Sequence, residues 1–113
     1  MNFNPIIVVA GEPNSIFLEI FFKAIKYKKY KNPIILIASK KIVLSQMKKL
    51  KIKLAINNLN YKKLKEEVIS FNKINLINVN YSQQPIFKKI SSASNNYIKN
   101  SFKIAFDIIN DGI

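Results

Sequence analysis

The sequence predicts an α/β fold, a mainly parallel sheet with flanking helices in the order β-α-β-α-β-(α)-β-α. Three observations carry this reading. The apolar runs Ile6–Ala10 and Ile34–Ala38 are continuous rather than alternating, the pattern of strands buried on both faces of a parallel sheet. Each is punctuated, the first by Gly11-Glu12-Pro13-Asn14 and the second by Ser39, and then gives way to helical spacing. Strands alternating with helices place the helices on the sheet faces, with right-handed crossovers.

The elements follow in order. After the first strand, Ser15 to about Lys29 carries good helix formers with Glu19, Lys23 and Lys26 at helical spacing, and Asn14 or Ser15 suits the N-cap. Asn32-Pro33 ends that helix, because proline disfavours helix in the residue before it. The strand Ile34–Ala38 leads through Ser39 into a helix from Lys40 to Leu50, with Val43, Met47 and Leu50 on one face. Lys51 to Ile56 reads as a weaker strand, and Tyr61, Leu64, Val68 and Phe71 as a short helix or ordered loop. Ile74 to Val79 is the next strand, interrupted by Asn75 and Asn78, and Pro85 to Ser94 reads as a loop. In the final helix Asn96, Lys99, Asn100, Lys103, Asp107 and Asn110 define a wet face. Ile98, Phe102, Ala105, Phe106 and Ile109 are expected to cover the opposite one, with Asp111-Gly112 as the stop. So wide an apolar face at this point usually leads into another strand. The segment 1–113 therefore reads as one α/β domain, as the first part of something longer, or as a domain whose sheet another chain completes.

Composition narrows the chemistry. The 113 residues are 49% hydrophobic and 12% aromatic, too apolar for a disordered chain. There is no histidine and no cysteine, which excludes a zinc-finger cage, a Ser-His-Asp or Cys-His pair and a disulfide. No apolar run approaches the roughly 18 residues that span a bilayer, and no signal peptide is apparent, so a cytoplasmic protein without a membrane partner is expected. The net charge of +13 suggests nucleic acid, yet all 19 basic residues are lysine. With 21 Ile and 15 Asn beside them, the composition matches A/T-rich coding. The charge is read as coding bias, and nucleic acid is not expected as a partner.

The candidate ligand loop is Gly11, Glu12 and Pro13, at the carboxyl end of the first strand, where α/β proteins place ligands. It lacks the further glycines of a dinucleotide fingerprint or P-loop, and a simple turn is the competing reading. Glu12 and Glu19 are carboxylates without an evident acid partner. Lys40-Lys41 opens the second helix as a possible phosphate contact. Lys48, Lys49, Lys51, Lys53, Lys62, Lys63 and Lys65 form the densest basic stretch. Phe17, Phe21 and Phe22 read as core.

Taken together, the segments resemble a known family. Val8 to Glu19 is similar to the opening strand and loop of the 4-hydroxythreonine-4-phosphate dehydrogenases, whose pattern runs GDPAGIGPE. Gly11, Pro13, Ile16 and Glu19 match it, Glu12 keeps the charge of the aspartate, and Asn14, Ser15, Phe17 and Leu18 depart from it. Pro33 to Leu50 resembles that family's second βα unit, and Ile90 to Gly112 the helix before its next strand. The resemblance implies a homodimeric oxidoreductase of pyridoxal 5′-phosphate synthesis that uses NAD, a divalent metal and a phosphorylated small-molecule substrate, with a larger two-domain α/β/α fold of which this chain is an incomplete part and an active site in the cleft. It covers the N-terminal portion only. The family's metal is held by histidines beyond that portion, so no catalytic or metal residue carries over, and the cofactor-binding residues stay unknown. Two alternatives remain open: a basic α/β module binding nucleic acid or a partner subunit, and a structural protein whose sheet edge pairs with another chain.

Overall fold

The structure is a computed structural model that describes residues 5–11, 16–27, 32–66, 69–70, 73–81 and 92–110. Its strands are β1 (Ile6–Val9), β2 (Ile34–Ala38), β3 (Ile56–Asn58) and β4 (Ile74–Asn78). Its helices are α1 (Phe17–Tyr27), α2 (Lys40–Leu50) and α3 (Ser92–Asn110), with a 3-10 segment at Tyr61–Glu66 kinked at Lys63. The strands are parallel and lie in the order β1-β2-β4-β3. The predicted α/β class and parallel sheet are thus what the chain forms.

Side chains of a strand alternate between faces, and the two central strands show it plainly. Leu36, Ala38, Ile74 and Leu76 point to the face carrying α1 and α2, where Leu18, Phe22, Val43 and Met47 meet them. Ile35, Ile37 and Ile77 point to the other face, beneath Leu64 of the 3-10 segment and Tyr97, Ala105 and Ile108 of α3. The chain therefore goes outward from β1 to β3 with helices on one face and returns through β4 and α3 on the other. Reversing both direction and face keeps every crossover right-handed.

Four expectations are corrected. The first strand is not buried on both faces: β1 is an edge strand, its Ile6 is exposed and its other residues are half-buried. A continuous β-branched run gives a strand, but strand order decides its neighbours. The third strand is Ile56–Asn58 rather than Lys51 to Ile56, because α2 closes beyond its last turn. Lys51 takes a left-handed conformation (φ 58°), its N–H bonds the Lys48 carbonyl, and the Ile52 N–H bonds that of Met47 at 2.9 Å. That is a Schellman closure with lysine where glycine is usual. The loop expected to reach Ser94 stops sooner, since α3 already begins at Ser92; residues 85–91 lie outside the described residues, as do the proposed cap at Asn14 or Ser15 and the stop at Asp111-Gly112.

The fourth correction concerns α3. Its wet face is where the spacing put it, but its buried stripe is Tyr97, Ser101, Ala105 and Ile108. Phe102, Phe106 and Ile109 stay 46%, 61% and 58% exposed. The apolar arc is wider than the area of sheet beneath it, and only one half of the arc is covered.

Candidate functional site at the carboxyl edge of the sheet

In a parallel sheet every strand ends at the same edge, and the helix N-termini gather there. At the end of β1, Ala10 donates to the Ile37 carbonyl at 3.1 Å and the chain turns at Gly11 with φ +73°. A Cβ at Gly11 would meet nothing within 4 Å. Glycine is required there by the left-handed backbone and not by a close neighbour. Glu12 and Pro13, the other two candidate loop residues, lie outside the described residues.

At the ends of β2 and β4 the edge is tied together by polar groups. Ser39 caps α2, its Oγ accepting from the Ile42 N–H at 3.4 Å. The Ser39 N–H donates to the hydroxyl of Tyr97 on α3 at 2.8 Å, and the Lys40 N–H donates to Asn78 Oδ1 at 2.8 Å. Asn78 Nδ2 in turn donates to Asn80 Oδ1. The tilted ring of Tyr81 lies 5.1 Å from that of Tyr97. Amides at the start of a helix attract anions when they are free, but here those of Ser39, Lys40 and Ile42 already have protein acceptors. The Lys40-Lys41 pair therefore sits beside a helix terminus whose donors are largely engaged.

Burial raises the Tyr97 hydroxyl above its ordinary pKa, the Ser39 N–H works against this, and Tyr81 adds a smaller upward push. Below about pH 10 the residue is neutral whether folded or unfolded. As pH rises past that point the unfolded chain ionises first, so the stability Tyr97 contributes is lost between pH 10 and its raised value. Tyr97→Phe is expected to cost about 1 kcal/mol at neutral pH through the orphaned Ser39 N–H. The gap between the two proteins should narrow by about pH 10.5. Urea midpoints at both pH values check this; a gap independent of pH would refute it.

The remaining candidates are dispersed. Glu19 lies on α1, partly exposed, paired with Lys23 at 3.6 Å in an i,i+4 surface contact. Such pairs contribute only tenths of a kcal/mol, and the pairing brings Glu19 to no second carboxylate. Lys48, Lys49, Lys51 and Lys53 belong to the α2 layer, whereas Lys62 and Lys63 belong to the 3-10 segment on the opposite layer. The densest basic stretch in sequence is thus divided between two sides of the sheet. An open groove of about 310 Å³ lies between Tyr61 and Lys62 on one side and Asp107 and Asn110 of α3 on the other. Among the described residues no three His, Cys, Asp or Glu side chains approach one another closely enough to hold a metal ion. The described residues do not fit the metal that the resemblance implies, and the single glycine at the β1 turn does not fit a dinucleotide fingerprint.

Sequence reasoning missed Asn75. It is buried in β4, and its amide makes four hydrogen bonds: Oδ1 accepts from the Ser70 N–H (2.8 Å) and Asn57 Nδ2 (3.0 Å), and Nδ2 donates to the carbonyls of Ser70 (2.6 Å) and Ile34 (3.0 Å). It fastens the 69–70 segment to β2 and β3 near the amino ends of the strands. The available signal was an asparagine set between the apolar Ile74 and Leu76 within a strand.

No protein-family model matches the chain, and no curated protein matches its sequence. Solved structures do. A 4-hydroxythreonine-4-phosphate dehydrogenase from Burkholderia phymatum superposes with a TM-score of 0.80 at 12% identity, over 99% of this chain and 34% of that one. The fold is the one found in these dehydrogenases. A Salmonella typhimurium protein provisionally given the same name superposes with a TM-score of 0.77 at 15% identity, over 98% of this chain and 35% of its own. The chain thus spans about a third of the length of either dehydrogenase. The resemblance drawn from the Gly11 loop and the two following segments agrees with the dehydrogenase fold over nearly all of the chain, and with its restriction to one portion of the enzyme. Among the described residues no helix is long and apolar enough to cross a membrane.

Proposed function

We propose that these 113 residues form the N-terminal α/β portion of an oxidoreductase of the 4-hydroxythreonine-4-phosphate dehydrogenase kind. In this reading the enzyme is a cytoplasmic homodimer that uses NAD and a divalent metal on a phosphorylated small-molecule substrate in pyridoxal 5′-phosphate synthesis. The observation that carries it is the superposition of 98–99% of the chain on two such proteins at TM-scores of 0.77 and 0.80. The loop of Gly11, Glu12 and Pro13 borders the substrate cleft, at the strand end where this architecture binds ligands. Metal ligands and catalytic groups come from polypeptide beyond this portion, because the sequence holds no histidine.

The chain supplied with NAD, a divalent cation and 4-phosphohydroxy-threonine is therefore expected to form no NADH. An antibody raised against it should detect, in the source cells, a protein about three times as long, in line with the share of the dehydrogenases it covers. That longer protein, once isolated, should turn the substrate over. NADH formation by the 113 residues alone, or a longer protein inert toward this substrate, would overturn the reading.

A further inference from the structure

We draw no further inference here: the strongest candidate, the open groove between the 3-10 segment and the last turn of α3, is lined by no buried polar side chain among the described residues, and nothing in the structure shows what would fill it.

Discussion

Replacing Asn75 by alanine is expected to destabilise the chain by about 3 to 4 kcal/mol, a large share of the roughly 5 to 15 kcal/mol that holds an ordinary domain folded. The loss comes from the bonds removed. Alanine deletes both ends of the amide at once, and with them its four hydrogen bonds to the Ser70 N–H, the Ser70 and Ile34 carbonyls and the Asn57 amide. Each such bond contributes about 1 kcal/mol, and water entering the space returns part of that. Asn58→Ala, one position from Asn57 but exposed, should stay within about 0.5 kcal/mol of the parent. Urea unfolding with an unchanged slope is the measurement. If the two variants unfold at the same midpoint, the clasp around Asn75 does not hold the sheet as described.

A loss of about 3 to 5 kcal/mol is expected for Phe22→Ala, by a different mechanism. Phe22 is fully buried in the layer between α1 and the sheet. Its ring stands edge-on to that of Phe21, with centroids 6.0 Å apart, and Leu36 and Val43 belong to the same cluster. Truncation removes the transfer energy of the ring and leaves a cavity that two flanking helices and a sheet cannot collapse to fill. Phe22→Leu keeps most of the volume and should cost less than half as much. Ile20→Ala, on the outer side of α1, should be nearly neutral. A small effect at Phe22 together with a large one at Ile20 would mean that α1 packs by its other face.

What was legible in the sequence follows from what each signal physically encodes. Continuous apolar runs and helical spacing are properties of single elements, so β2, α1 and α2 were readable, as was the Ser39 cap. Whether a strand lies at the edge depends on the order of all the strands, and nothing within Ile6–Val9 encodes that. The face of α3 was half readable for a similar reason. Its polar residues mark where water is, but Phe102 and Tyr97 are equally apolar in sequence, and only the placement of the helix over β1 and β2 decides which is covered. Lys51 shows a local signal failing, because a helix that ends on a left-handed lysine looks, residue by residue, like the start of a strand. At the candidate site Gly11 was found by its position in the βα turn, whereas the contact between Tyr97 and Ser39 was not.

That contact joins residues 58 positions apart. It can form only after α3 has docked on the sheet, and loop-closure entropy opposes it until then. The β1-α1-β2-α2 unit, built from near neighbours, can assemble without it. In kinetic terms the carboxyl edge is a late-closing seam between α3 and the end of β2.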